Sequence, residues 1–155
     1  MRVFRIAHIS VVDMLAGSGN ESRWCSAGRK VIYMASSIAL CCLENLLRRT
    51  GQGFSNDFKT IFYEIQDDVK PYEIPLGSLT DSWRTLAGYP DCQAIGNAWY
   101  DQPNSLVMRV PSAIIPDESN FVIKTTSTDI KKIQVIEARP FLPDERLERF
   151  LRNVV

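Results

Sequence analysis

Lys30-Val31-Ile32-Tyr33-Met34-Ala35-Ser36-Ser37-Ile38-Ala39-Leu40-Cys41-Cys42-Leu43-Glu44 changes its period in the middle. Up to Ala35 the residues alternate as in a strand, with Val31, Tyr33 and Ala35 on one face and Ile32 and Met34 on the other. From Ile38 the chain is apolar almost all round (Ile38, Ala39, Leu40, Cys41, Cys42, Leu43, Leu46, Leu47), which reads as a buried helix. Ser36 or Ser37 can cap that helix. Arg48-Arg49 suit its C-terminal dipole, and Gly51 supplies a stop. A strand that runs straight into a buried helix sets the expected class, α+β.

Working outward, Arg2 to Ile6 reads as a first strand and Gly17-Ser18-Gly19-Asn20 as a turn. Phe58 to Ile65 alternates as a long strand, and Asp67 to Pro75 is read as loop. Between Leu79 and Tyr89 a helical turn anchored by Trp83 and Leu86 is expected. Pro90-Asp91 starts a helix reaching about Trp99-Tyr100. Ser105 to Val110 is a strand stopped by Pro111, and Pro116-Asp117 is a turn. Phe121 to Ile123 and Ile133 to Ile136 are two more strands, and Asp144 caps a terminal helix ending near Arg152. With neither repeat nor linker, residues 1–155 are expected to make one compact domain, a mixed β-sheet core with inserted helices.

Composition narrows the function. Apolar content of 45% and charged content of 23% are ordinary for a globular protein. The formal net charge is zero, so no basic surface argues for direct nucleic-acid binding. The longest apolar run, Ser37 to Leu43, is too short to span a bilayer. The opening Met1 to Arg5 runs into polar residues by Asp13, so no secretory leader and a cytoplasmic location are expected. Four cysteines without a C-x-x-C, and the single histidine His8, make a poor zinc set; no metal is expected and the thiols read as reduced and buried.

Four residues stand out, each with a plain alternative. Glu44 is a lone carboxylate among apolar neighbours, costly there unless it is used; alternatively it pairs with Arg48 at i+4. Arg23 is either an anion ligand or a guanidinium stacked on Trp24. Tyr33 is either a site residue or a core tyrosine, and Ser112 is either a site hydroxyl or a turn residue after Pro111.

Taken in order, these pieces resemble the RES domain family, named for its arginine, glutamate and serine. The resemblance rests on Gly17-Ser18-Gly19, Ser22-Arg23-Trp24, Ile32-Tyr33-Met34-Ala35 and the helix with Glu44. It continues in Val110-Pro111-Ser112-Ala113 and Pro116-Asp117-Glu118-Ser119-Asn120. The Arg5-Ile6 opening, Ile95-Gly96-Asn97-Ala98-Trp99 and Asp144-Glu145-Arg146-Leu147 also match, so nearly the whole chain is covered. The family pattern differs at four places: Gly where this chain has Ser22, Asn at Cys25, His at Arg48, and Asn-Pro at Lys124-Thr125.

The resemblance implies an ADP-ribosyltransferase-like fold and an enzyme that consumes NAD+ as a substrate, with no resident cofactor. It implies a toxin that cleaves the nicotinamide–ribose bond, as glycohydrolase or phosphorylase, and is neutralised by a cognate Xre-type antitoxin. A protein-modifying ADP-ribosyltransferase and a non-catalytic binding module on the same fold are the alternatives. On this reading Glu44, Tyr33 and Ser112 are catalytic, while Arg23, Trp24 and, less directly, Arg5 bind NAD+. The residue types suit the chemistry: arginine grips a pyrophosphate bidentately. Nicotinamide leaves as a neutral molecule, so one carboxylate facing the cationic ribose suffices, unlike the paired carboxylates of most glycosidases. There is no Gly-x-Gly-x-x-Gly, so no Rossmann cradle is expected.

Overall fold

The computed structural model describes residues 1–12, 15–48, 54 and 56–152. Arg49 and Gly51, expected at the end of the first helix, lie outside them. Among the described residues one sheet holds seven strands: β1 (Arg2–His8), β2 (Val31–Ala35), β3 (Phe58–Ile65), β4 (Tyr72–Glu73), β5 (Val107–Pro111), β6 (Ser119–Lys124) and β7 (Ile133–Pro140). Their spatial order is β4-β5-β6-β2-β1-β3-β7. Every neighbouring pair is antiparallel except β4 with β5. Among the described residues three α-helices, α1 (Ile38–Arg48), α2 (Tyr89–Tyr100) and α3 (Glu145–Arg152), punctuate the strands. The α+β expectation holds.

Alternation on the central strands sorts side chains to two faces. On one face Val3, Ile32, Met34, Ile61, Phe121 and Ile123 form a core closed by loop residues such as Val11, Val69 and Ile130. The other face carries two clusters side by side. Over β1 and β2, α1 brings Leu40, Cys41 and Leu46 onto Ile6 and Ala35. Over β5 and β6, α2 and its preceding turn bring Trp83, Cys92 and Trp99, together with Trp24, onto Met108, Val110 and Val122. The strip between these clusters is where β2 pairs with β6, Tyr33 opposite Val122 and Ala35 opposite Asn120.

Helix α1 starts as its sequence predicts: Ser37 Oγ accepts the Leu40 N–H at 3.1 Å. Its burial differs from expectation. Only Leu40, Cys41 and Leu46 are buried, and Leu47 is 67% exposed. The helix packs by one face on β1 and β2, so an apolar residue turned away from the sheet stays in solvent. Asp144 caps α3 as expected, its Oδ1 accepting the Arg146 N–H at 2.9 Å.

Other boundaries move for identifiable reasons. The loop before Pro75 contains β4, whose two residues pair parallel to β5 and are too few to show a period. Strand β5 continues through Pro111, opposite Ser119. Strand β7 runs to Pro140, beyond the expected Ile136, with most of its residues exposed along the sheet edge. Leu86 is no anchor: it is 80% exposed, and the turn is held by Trp83 alone of the two.

Helix α2 lies so close to the Trp24 backbone that a β-carbon at Gly96 would sit 1.7 Å from the Trp24 carbonyl oxygen. Backbone cannot yield there as a flexible side-chain tip would. Gly96→Ala should therefore destabilise the domain by about 3 kcal/mol or more. Gly77→Ala, with nothing near its added methyl, should stay within about 1 kcal/mol of wild type. Urea unfolding of the two variants measures both.

Candidate active site

Glu44 faces the strip between the two clusters, and its partners come from the β5–β6 hairpin. Its Oε1 accepts from Asn120 Nδ2 at 2.5 Å and from Ser112 Oγ at 3.3 Å. Among the described residues Oε2 has no hydrogen-bond partner, and Glu44 makes no ion pair. The i,i+4 pairing with Arg48 is therefore absent. Arg48 instead lies over the Tyr33 ring, 5.8 Å from its centroid.

Ser112 is fully buried and its hydroxyl is fully committed. Oγ accepts the N–H groups of Ile114 and Ile115 at 3.1 and 3.2 Å. Both lone pairs are thereby used, and the one O–H is left to donate to Glu44. The turn reading of Ser112 and the site reading are thus both met by one atom. Asn120 closes the Pro-x-x-x-Asn motif, and the sequence gives no sign that it belongs to the site; its position opposite Ala35 and Val110 aims it at Glu44.

The same hairpin is fastened to the start of α1. Glu118 Oε2 accepts from Ser37 Oγ at 2.6 Å and Ser36 Oγ at 3.3 Å, and Ser36 Oγ accepts the Ser119 N–H at 3.3 Å. The Ser112 N–H reaches the Glu118 carbonyl at 2.9 Å. Helix and hairpin are joined at both ends of the 112–120 segment.

Tyr33 is half-buried on the same sheet face. Its hydroxyl meets Ser22 Oγ at 2.6 Å, so the hydroxyl that replaces the family glycine anchors the ring. Burial raises the Tyr33 phenol pKa, with the Ser22 hydrogen bond opposing, and keeps it neutral. Burial likewise pushes Cys25 up to about 11 and Cys41 up to about 12, so neither thiol is a ready nucleophile.

Arg23 does not stack on Trp24. Its guanidinium lies over Tyr89, 4.6 Å from the ring centroid, and donates to the backbone carbonyls of Trp83, Arg84 (3.1 Å) and Thr85 (3.4 Å). Those bonds occupy Nη1 and part of Nη2, and the guanidinium also lies beside the buried Cys92 thiol. Trp24 is a core residue, 3% exposed and packed beside Trp83, with almost no ring surface to offer a substrate. Arg5 is not in the cluster either. It alternates with Phe4 and Ile6, which face α1, and so shares the opposite sheet face with Val3 and Ala7. Its buried Nη1 lacks a partner among the described residues, as does the Tyr63 hydroxyl.

Among the described residues no group of three or more His, Cys, Asp or Glu could hold a metal ion. None of their helices is long and apolar enough to cross a membrane.

The RES domain model matches residues 2–146. The chain belongs to the RES domain family. It is 28% identical over 158 residues to the Prs ADP-ribosylating toxin of Sphingobium sp. (strain YBL2), covering 96% of this chain and 95% of that protein. It is 30% identical over 145 residues to a Toxin Res of Pseudomonas putida (strain KT2440), covering 90% of this chain and 96% of that one. The fold matches a chain of the M. tuberculosis MbcT–MbcA toxin–antitoxin complex with a TM-score of 0.71 at 19% identity, over 98% of this chain and 88% of that one.

The departures of this RES domain from the family pattern have local explanations. Cys25 is fully buried in the tryptophan cluster. Lys124 Nζ donates to the carbonyl of Tyr100, the last residue of α2, at 2.7 Å and to that of Gln102 just beyond it at 3.1 Å. Thr125 Oγ1 donates to the Lys30 carbonyl at 2.9 Å.

The Arg23 geometry separates a fork from a point charge. Arg23→Lys can keep one carbonyl contact of the three and should lose roughly 1–3 kcal/mol of stability. Arg48→Ala, which gives up only a stacked cation, should lose under about 1 kcal/mol. Thermal and urea unfolding of the two variants provide the comparison.

Proposed function

We propose that this RES domain is a toxin of a toxin–antitoxin pair that degrades NAD+ at the nicotinamide–ribose bond. The observation that carries the reading is the Glu44 carboxylate, one oxygen held by Ser112 and Asn120 and the other without a partner among the described residues. A carboxylate so fixed can face a developing cation without reorganising.

In this reading the C–N glycosidic bond breaks with its electron pair going to the pyridinium, which departs as neutral nicotinamide. Positive charge grows on the ribose and is met by Glu44. Ser112 and Asn120 keep the carboxylate in place. The ring of Tyr33, fixed by Ser22 and covered by Arg48, offers an aromatic wall for the nicotinamide or ribose. Arg23, while clamping the 83–85 turn, offers its guanidinium charge to the pyrophosphate. Water or phosphate then takes the ribosyl carbon. Trp24 and Arg5 have no part in this scheme, given their places in the fold.

A second acceptor is favoured by a specific likeness: the Sphingobium relative is named an ADP-ribosylating toxin. Transfer to a protein side chain would use the same bond cleavage and the same Glu44. A cognate antitoxin belongs to the same reading, supported by the toxin–antitoxin complex whose chain shares the fold, and its Xre type is what the resemblance in sequence implies.

Incubated with NAD+, the protein should release nicotinamide. Glu44→Gln, which preserves shape and loses the charge, should turn over on the order of 10²-fold more slowly with unchanged unfolding. Chromatography of the products with and without phosphate distinguishes the acceptors: ADP-ribose, its phosphate ester, or label on a protein. Full activity in Glu44→Gln would remove the assignment. Expressed in bacteria, the chain should arrest growth as cellular NAD+ falls; arrest at constant NAD+ would favour the protein-modifying reading.

A further inference from the structure

Arg84 is an exposed arginine that makes no ion pair among the described residues. Its Nε donates to the Ala113 carbonyl at 2.8 Å and its Nη2 to the Ile114 carbonyl at 3.4 Å. The Ala113 carbonyl belongs to the same peptide group as the Ile114 N–H, and the Ile114 carbonyl to the same peptide group as the Ile115 N–H. These are the two N–H groups that donate to Ser112 Oγ. The guanidinium thus sits behind both peptides whose other ends hold the serine.

Hydrogen bonds in series polarise one another. A cation on each carbonyl oxygen makes the N–H at the far end a stronger donor. Two stronger donors on Oγ make the remaining O–H a stronger donor to Glu44 Oε1. Arg84 is itself held in place, because its own carbonyl accepts from Arg23 Nη2 at 3.1 Å. Arginine, serine and glutamate of the family pattern are thereby joined in one line, Arg23 to Arg84 to the 113–115 turn to Ser112 to Glu44.

We propose that Arg84 is a positioning residue for Glu44, acting through two peptide groups and the Ser112 hydroxyl. The proposal rests on the reading of Glu44 as the catalytic carboxylate of NAD+ cleavage. Arg84 touches no reacting atom in that scheme, so its loss should appear in turnover and not in substrate affinity.

The test uses Arg84→Met, which keeps the stem without the fork, and Arg84→Lys, which can serve one carbonyl. Arg84→Met should lower kcat for nicotinamide release by roughly five- to tenfold, with KM for NAD+ within about twofold. Arg84→Lys should recover part of that loss. In a Ser112→Ala background the relay has no hydroxyl to act on, so Arg84→Met should change kcat by less than about twofold. An equal loss in both backgrounds, a loss confined to KM, or no loss at all would overturn the proposal. A readout independent of the reaction accompanies these: amide hydrogen exchange at Ile114 and Ile115, expected to quicken in Arg84→Met by about fivefold or more. Unchanged exchange also overturns it. If the unmutated protein releases no nicotinamide, the functional reading fails, and the exchange measurement alone decides whether Arg84 holds the turn.

Discussion

The contact between Glu44 and the β5–β6 hairpin is the constraint on which the rest of the structure turns. A carboxylate half inside a protein needs donors. Glu44 finds them in Asn120 and Ser112, across more than sixty residues of chain. Meeting that need brings α1 against the end of the hairpin, and Glu118 with Ser36 and Ser37 secures the same junction at the helix start. The helix is thus tied to the sheet by polar contacts where its apolar face runs out. That is why so apolar a helix can leave Leu47 in solvent and still be firmly placed.

The second half of the site is built on a different principle. Trp24, Trp83 and Trp99 fill the space under α2, and Gly96 lets that helix approach the Trp24 backbone. This cluster presents the 83–85 turn to Arg23, and the guanidinium closes on its carbonyls. An arginine held this way remains charged, because carbonyl acceptors do not neutralise it. The same side chain can stabilise a loop and raise the local positive potential. Packing on one side and hydrogen bonding on the other converge on the strip where Tyr33 and Glu44 face out.

The chemistry proposed for that strip asks little of acid–base catalysis. In the proposed cleavage the leaving group is neutral and good, and the difficulty lies in the cation left behind. A single carboxylate with fixed orientation matches that demand. Ser112, with both lone pairs engaged by backbone N–H groups, cannot act as a base and is poorly placed to be a nucleophile; it can only donate. The buried thiols, held neutral by desolvation, stand apart from the reaction.

Read by itself, the chain determined its class and most of its strands, and it singled out Glu44, Tyr33, Ser112 and Arg23 as candidates. Those follow from local properties: alternation on β2 and β3, the Ser37 cap, and a spaced set of polar residues that resembles a family. The two-residue β4, the exposure of Leu86 and Leu47 and the role of Asn120 came only from the tertiary structure, because each depends on a partner far along the chain. The same holds for Arg5 and Trp24. Residue type made both plausible ligands, but strand alternation turned Arg5 to the opposite face and close helix packing enclosed Trp24 in the core. Sequence names the groups able to bind or react. Which of them share a face is decided by sheet register and packing, since one step along a strand moves a side chain from one side of the sheet to the other.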